Sequence, residues 1–279
     1  MSLSIILPTI NERDNLKTLI PQLYSVFHGV IEAELIVVDD GSTDETHALM
    51  FEFCRVFPNL VFIERQEPDG LPGAIFSGIS AAQGDLVAWL DADGSMPAQI
   101  LYEMYLEFST SNIEVIIGSR FVTNGGFKGL NEHGRTSIFQ FLQNLRESED
   151  SAAAVVLSRI LNIFLRLILN TGIKDVTSGF ILTHKRHVEN EKFVGKYGEY
   201  FPVLIKAMAQ RNLRIKEYGY VCLPRTFGVS KTGSSLSEYI KKGFPYVYFS
   251  LKLLLYDIIL SLRFSRRLKI RKSNSKRFP

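Results

Sequence analysis

Two carboxylates, Asp91 and Asp93, directly follow an apolar run and are well suited to bind a metal ion. The run from Leu86 to Leu90 predicts a buried strand, and alternate residues of an extended chain point to the same side. Both carboxylates can therefore converge on one hard cation, Mg²⁺ or Mn²⁺. Such a cation would bridge phosphate oxygens and offset charge on a departing phosphate group. The alternative is a solvated turn in which Gly94 breaks the strand.

Two more polar turns follow apolar runs earlier in the chain, from Pro8 to Glu12 and from Asp39 to Asp44. Carboxylates in these turns can accept hydrogen bonds from a nucleoside base or a ribose hydroxyl. A structural role is equally open for the second turn, because Ser42 or Thr43 can cap the helix that follows. Both roles are compatible.

These turns belong to a repeated pattern of an apolar run, a polar turn and a stretch with helical spacing. The runs are Leu3 to Leu7, Glu34 to Val38, Leu60 to Ile63, Leu86 to Leu90 and Val115 to Ile117. Their spacing of roughly 25 to 30 residues is that of a βα unit. The pattern predicts an α/β fold with a mostly parallel sheet flanked by helices. Ligands of such sheets bind beyond the carboxyl ends of the strands, where the polar turns lie.

The C-terminal half contains two long apolar stretches. Residues 152–170 predict an amphipathic helix with a polar stripe of Arg159, Asn162, Arg166 and Asn170. Its wide apolar arc indicates either burial on most sides or contact with a membrane interface. The stretch from Phe244 to Leu262 is interrupted by Lys252 and Asp257. A central charge disfavours spanning by roughly 2.5–3.5 kcal/mol, so an interfacial or core-packed helix is expected.

Composition limits the class of protein. The 279 residues are 46% hydrophobic and 22% charged, which is typical of a folded core. The net charge of +3 is uneven, because residues 263–279 contain many Lys and Arg and no acid. This basic tail suits anionic lipid headgroups or nucleic acid, or it is a solvated terminus. No recognisable nucleic-acid reader accompanies it, so no nucleic-acid partner is expected.

Cys54 and Cys222 lack metal-ligand spacing, which argues against a zinc site or a disulfide framework. The chain goes directly from Met1 into a strand pattern without the features of a secretory signal. We therefore expect a cytoplasmic protein with reduced thiols.

Seven motifs in order give the chain a wider resemblance. They are Pro8-Thr9-Ile10-Asn11-Glu12, Val38-Asp39-Asp40-Gly41-Ser42, Leu71 to Gly78, Asp91-Ala92-Asp93, Gly118-Ser119-Arg120, Asp175 to Phe180, and Arg225 through Phe227-Gly228-Val229-Ser230-Lys231. With them the sequence resembles the family 2 glycosyltransferases of GT-A fold, and among these the dolichyl- or polyprenyl-phosphate mannose synthase group. The resemblance implies a GT-A (Rossmann-like) domain over residues 1–233 and a helical, basic, membrane-facing tail over 234–279.

The resemblance also implies roles for individual residues. The donor-binding set is Pro8, Thr9, Asn11, Glu12, Asp39, Asp40, Asp91 and Ala92. Asp91 and Asp93 would hold the metal. The phosphate- and acceptor-binding set is Ser119, Arg120, Ser178, Arg225 and Lys231, and the catalytic set is Asp93, Asp175, Arg225 and Lys231. Fixed cations suit this reaction because an anionic acceptor must approach an anionic donor.

The implied reaction transfers a hexose from a nucleoside diphosphate sugar to a polyprenyl phosphate at the cytoplasmic membrane face, with Mg²⁺ or Mn²⁺ and inversion. GDP-mannose is the favoured donor and a UDP-sugar the alternative. A phosphate acceptor is already ionised and hardly needs a general base. A saccharide acceptor would require one, and Asp175 or Glu199 is the candidate. Asp175 could instead orient the arginines or cap the loop before Ser178.

The chain departs from the family pattern in two places. Ser95 stands where many relatives carry Gln or an acid as a further metal contact, and residues 131–150 resemble an inserted acceptor loop. Two rival classes fit less well. A sugar-phosphate nucleotidyltransferase would need a Gly-rich, basic loop after the first strand, which residues 8–15 lack. A binding-only protein would have less reason to keep both carboxylates with Arg225 and Lys231. The sequence indicates no oligomeric state.

Overall fold

The apolar runs of the N-terminal half form the first five strands of a helix-flanked sheet. The computed structural model describes residues 1–127, 149–228, 241, 243–256 and 259. The elements in chain order are β1 (Leu3–Thr9), α1 (Arg13–Phe27), β2 (Ala33–Asp39), α2 (Thr46–Val56), β3 (Leu60–Glu64), α3 (Leu71–Ala81), β4 (Leu86–Trp89), α4 (Ala98–Ser109), β5 (Val115–Ser119), β6 (Gly126–Phe127), α5 (Glu149–Leu169), β7 (Ile181–His184), a 3₁₀ turn (Lys185–His187), α6 (Tyr200–Gln210), β8 (Ile215–Gly219) and β9 (Val221–Cys222).

The main sheet has seven strands in the order β3-β2-β1-β4-β7-β5-β8. Strands β1 to β4 are mutually parallel, as are β5 and β8, and only β7 runs antiparallel to its neighbours β4 and β5. The prediction of a mostly parallel sheet is therefore confirmed. A smaller parallel pair, β6 with β9, lies outside it.

The register of β1 brings the polar turns to one edge. β1 aligns with β2 along its whole length, from Leu3 opposite Ala33 to Thr9 opposite Asp39. Its pairing with β4 ends earlier, where Ile6 lies opposite Trp89. Pro8 falls beyond this pairing, so its missing N–H breaks no bond to β4. Because the three strands are parallel, the residues that follow each of them share the carboxyl edge of the sheet.

Both faces of the sheet are covered, which gives two apolar layers. One layer packs side chains of α1 and α4 against the sheet, and the other packs side chains of α3, α5 and α6. Helix α3 approaches β1 closely because Gly78 has no side chain. A Cβ at that position would lie 2.4 Å from the Cγ2 of Ile6. Across the second layer, the indole of Trp89 donates to the hydroxyl of Tyr200 at 2.9 Å.

The predicted helix at 152–170 corresponds to α5. Its polar stripe has a structural use at Asn162, which donates to the carbonyl of Lys174 and accepts from the amide of Val176 at 3.0 Å. The opposite side is exposed, with Leu167 77% accessible.

Residues 243–256 are helical, and we call them the C-terminal segment. Tyr246 and Leu253 pack against the second apolar layer, so this segment rests on the domain. No helix among the described residues is long and apolar enough to cross a membrane. Residues 131–148, the expected domain boundary at 233 and the basic residues of 263–279 lie outside the described ranges.

Candidate active site

The turns after β1 and β2 are joined by Asn11. The side-chain oxygen of Asn11 accepts hydrogen bonds from the backbone amides of Thr43 at 2.7 Å and Asp44 at 3.2 Å. The backbone amide of Asn11 donates to the hydroxyl of Ser42 at 2.7 Å. Asn11 has a φ of 53°, a left-handed conformation that asparagine tolerates better than most residues. The predicted donor-binding Asn11 thus fixes the spacing of two turns at the sheet edge.

Asp39 and Asp40 are both buried and both paired within the protein. Asp39 accepts from the amides of Gly41 and Ser42 at 3.2 and 2.9 Å, and from His47 at 3.1 Å. Asp40 pairs with Arg65 and accepts the amide of Gly70 at 2.8 Å. Their contacts organise the turn, and their role in binding a nucleoside stays a prediction.

Pro8 and Thr9 are buried at the end of β1, where the hydroxyl of Thr9 donates to the carbonyl of Val38 at 3.2 Å. Ala92, between the two metal-type carboxylates, is also buried. The structure therefore shows these three members of the predicted donor-binding set as buried residues at the strand ends.

Asp91 and Asp93 follow β4 as expected. Burial, together with the neighbouring charge of Asp93, raises the pKa of Asp91 to about 7, while Arg120 and Arg225 act in the opposite direction. Asp93 accepts the amide of Ser95 at 3.0 Å, and its other oxygen faces Arg225. A carboxylate whose pKa is raised by burial and by a neighbouring carboxylate strongly attracts a cation.

Asp91 and Asp93 offer carboxylate oxygens, which suit a hard divalent cation that also binds a ligand. Within the described residues, no cluster of three or more His, Cys, Asp or Glu side chains accompanies Asp91 and Asp93. Asp91 and Asp93 would hold a cation at this position, and it would supply positive charge to a bound phosphate group. Mg²⁺ is commonly held in this way.

Arg225 joins the ends of β1 and β4. It pairs with Glu12, and its Nη1 lies 3.4 Å from an Oδ2 of Asp93. Glu12 also accepts from Asn15 at 2.7 Å. The carboxylate of Glu12, expected to read a nucleoside, thus faces an arginine and an amide. Sequence reasoning missed Asn15, although a polar residue beside the buried Leu16 on the inner face of α1 was a usable signal.

Arg120 forms a bidentate pair with Asp175, with both N–O distances at 2.8 Å. Burial alone would lower the pKa of Arg120, but the charge and hydrogen bonds of Asp175 raise it well above its usual value. Asp175 is fully buried and also accepts the backbone amide of Arg120 at 2.9 Å. These contacts favour the orienting role considered for Asp175 over that of a general base.

The two serines of the phosphate-binding set are buried next to this pair. Ser119 donates to Glu217 at 2.8 Å, and Ser178 donates to the carbonyl of Gly118. Both hydroxyls therefore support the loops that carry Arg120. Glu199, the other candidate base, accepts the amides of Lys196 and Tyr197 at 2.7 and 3.0 Å. Lys231 lies outside the described residues.

Comparisons with known proteins identify the family of this chain. The model of Glycosyl transferase family 2 matches residues 4–190. The dolichol-phosphate mannosyltransferase of Pyrococcus furiosus is 31% identical over 235 residues, which are 84% of this chain and 59% of that protein. The polyprenol monophosphomannose synthase of Mycolicibacterium smegmatis is 28% identical over 242 residues, 84% of this chain and 82% of that protein. The chain thus spans less than two thirds of the first relative.

A solved structure shares the fold. It is the glucosyl-3-phosphoglycerate synthase from Mycobacterium tuberculosis in complex with Mn²⁺, uridine diphosphate and glucosyl-3-phosphoglycerate. Its TM-score is 0.62 with 18% identity, over 91% of this chain and 79% of that chain. At this identity the likeness concerns the fold, and the fold class expected from the sequence is confirmed.

Proposed function

Because this chain belongs to glycosyl transferase family 2, we propose that it transfers a hexose from a nucleoside diphosphate sugar to a polyprenyl phosphate. The observation that carries the proposal is the carboxyl edge of the sheet, where Asp91 and Asp93 lie beside Arg120 and Arg225. The names of the two curated relatives support a polyprenyl phosphate acceptor and mannose as the sugar. GDP-mannose is therefore the favoured donor. The uridine diphosphate in the mycobacterial structure keeps a UDP-sugar as the alternative.

We further propose that Asp91 and Asp93 hold Mg²⁺ or Mn²⁺ together with the donor diphosphate. The bound ion supplies positive charge against the diphosphate that leaves. Mn²⁺ in the mycobacterial structure supports this choice. Arg120, Arg225 and Lys231 would gather the remaining phosphate charges of donor and acceptor, which otherwise repel each other.

The contacts of the candidate bases favour a phosphate acceptor over a saccharide. Asp175 is bound to Arg120 through both oxygens, and Glu199 is occupied by two backbone amides. A saccharide hydroxyl would need a carboxylate to take its proton, whereas a phosphate oxygen is ionised near neutral pH. In the proposed step, that oxygen attacks the anomeric carbon, the bond to the nucleoside diphosphate breaks, and the configuration inverts. The protein contributes mainly position and electrostatics.

Exposed apolar side chains support an acceptor that resides in a membrane. On α5, Ile160, Ile163 and Leu167 are 58%, 55% and 77% accessible. On the C-terminal segment, Phe244 and Tyr248 are 67% and 53% accessible. Large exposed apolar side chains on helices suit the interface of a bilayer. We propose peripheral attachment at the cytoplasmic face, with these side chains in contact with lipid.

The test is transfer of radiolabel from GDP- and UDP-sugars into organic-extractable product. The reaction contains the full chain, polyprenyl phosphate in vesicles, and Mg²⁺ or Mn²⁺. Asp93→Asn is the control, because it keeps the side-chain shape and removes the charge. We expect lipid-phase label from GDP-mannose and a loss of at least about a hundredfold in the variant. Donor hydrolysis without labelled lipid would point to a saccharide acceptor, and no turnover of any donor would reject the proposal.

A further inference from the structure

Arg225 contacts both acidic sides of the candidate site. Its guanidinium pairs with Glu12 at the end of β1, and its Nη1 lies 3.4 Å from Oδ2 of Asp93 after β4. Its Nε donates to the carbonyl of Phe227 at 2.7 Å. The Arg225 side chain is only 16% exposed, so solvent screens these charges less than at an open surface. An internal cation therefore already neutralises part of the acidic edge.

The backbone that carries Arg225 is fixed at both ends. We call residues 223–228 the strap. Leu223 donates its amide to the carbonyl of Ser95 at 2.9 Å. Phe227 exchanges two hydrogen bonds with the side chain of Asn15, at 3.0 and 3.2 Å. Asn15 is buried and also donates to Glu12 at 2.7 Å. One amide side chain on α1 thus holds both the strap and the carboxylate that Arg225 binds.

We propose that Arg225 competes with the divalent metal for Asp93, and that Asn15 is the positioning residue that keeps Arg225 there. This inference rests on the metal site of the proposed function. Metal and guanidinium are both attracted to the same carboxylate and repel each other, so each weakens the binding of the other. A donor diphosphate changes the balance, because it offers Arg225 a new anionic partner. Metal and nucleotide then bind more tightly together than either does alone.

The experiment measures Mn²⁺ affinity from the electron paramagnetic resonance signal of the free ion, at pH 8 without nucleotide. Arg225→Gln should bind Mn²⁺ about three- to tenfold more tightly than the wild-type chain. The matched control is Arg65→Gln. Arg65 is similarly shielded, with its side chain 13% exposed, and pairs with Asp40 and Asp69 instead. Its loss should leave Mn²⁺ affinity within about twofold of wild type.

The same titration with saturating GDP should reverse the order of the two Mn²⁺ affinities. Arg225→Gln should then bind Mn²⁺ more weakly than wild type, since the diphosphate has lost its cationic partner. A merely structural role of Arg225 would weaken Mn²⁺ binding in both titrations. If the wild-type chain binds Mn²⁺ and Arg225→Gln binds it equally or more weakly without nucleotide, the proposed competition is wrong. If wild type binds no Mn²⁺ with or without GDP or UDP, the proposed metal site itself fails.

Asn15→Ala provides an independent variant that leaves every charge in place. It should release the strap and tighten Mn²⁺ binding in the same direction as Arg225→Gln, by a smaller factor. Thermal melting followed by circular dichroism shows whether each variant is folded. If Arg225→Gln does not fold, Asn15→Ala carries the test. A folded Asn15→Ala chain with unchanged Mn²⁺ affinity would contradict the positioning role.

Discussion

At the scale of single residues, the charges of this site are arranged in opposed pairs. Arg120 faces Asp175, Arg225 faces Glu12 and Asp93, and Arg65 faces Asp40. Each pair is shielded from water, so removal of one partner leaves a charge that the surroundings cannot solvate. A substitution at any of these positions therefore affects stability as well as chemistry, and an activity measurement alone would misattribute the effect.

The pair of Arg120 and Asp175 gives a direct test of this view. Asp175→Asn keeps the shape but removes the charge that compensates Arg120. We expect the free energy of unfolding to fall by about 3–5 kcal/mol, because a half-broken buried pair leaves an unpaired ion. Urea denaturation at pH 7.5 measures it, with the exposed Asp85→Asn as control. A loss below about 1 kcal/mol, with transfer activity abolished, would instead support Asp175 as a general base.

At the scale of elements, the sequence predicted the parts governed by local periodicity. The five apolar runs became β1 to β5, and residues 152–170 became α5, because burial on a strand or a helix face imposes a repeat on the residues themselves. β7 follows no such βα rhythm. Its antiparallel position between β4 and β5 depends on pairing partners about 65 to 100 residues away, which a local pattern does not record.

The candidate site also has parts that a local sequence pattern predicts and parts that it does not. The position of Asp91 and Asp93 at the carboxyl end of β4 could be predicted because two carboxylates directly follow an apolar run. The partners of the site residues were not visible, since Asn15 meets Phe227 across 212 positions of sequence and Arg120 meets Asp175 across 55. Several acidic and basic residues predicted as ligands, namely Glu12, Asp40, Asp93, Arg120 and Arg225, form ion pairs within the protein. Sequence types identify which groups are present, and only the fold decides which of them are already neutralised.

The 3₁₀ turn after β7 contains His187, whose protonation is expected to make stability depend on pH. His187 is buried, and burial with the nearby charges of Arg186 and Arg211 lowers its pKa, although Glu114 raises it. The unfolded chain therefore binds a proton at His187 more readily than the folded one. The free energy of unfolding that neutral His187 contributes is therefore present above the unfolded pKa of about 6.5 and is lost as pH falls below it.

We expect the free energy of unfolding to decrease between pH 7.5 and 5.5 less steeply in His187→Gln than in the wild-type chain. Urea titrations at intervals across this range measure the difference. The comparison between the two chains is needed because Asp91, whose pKa is raised to about 7, contributes with the opposite sign. Parallel curves for the two chains would show that His187 does not couple folding to protonation.

At the scale of the whole molecule, the C-terminal segment connects the acidic site with exposed apolar side chains. The C-terminal segment packs on the domain through Tyr246, and burial, followed by the charges of Glu199 and Asp91, raises the pKa of this tyrosine. Its other side exposes Phe244 and Tyr248. A lipid phosphate presented by a bilayer would thus approach the site close to the helix that we propose contacts the membrane. Binding to the membrane and binding of the acceptor would then share one surface.

This arrangement predicts that Leu167→Glu weakens attachment to vesicles. Leu167, 77% exposed on α5, would lose the free energy of burying its side chain in the interface and add a negative charge. In flotation with vesicles containing anionic lipid, we expect about tenfold weaker binding. The matched control is Phe51→Glu, which places the same charge on α2 at a site 65% exposed and away from this face. Because residues 263–279 add basic charge, high salt should weaken wild-type binding but leave a salt-resistant apolar part, and Leu167→Glu should remove that part. Equal losses in both variants would show that charge alone, rather than this apolar face, determines attachment.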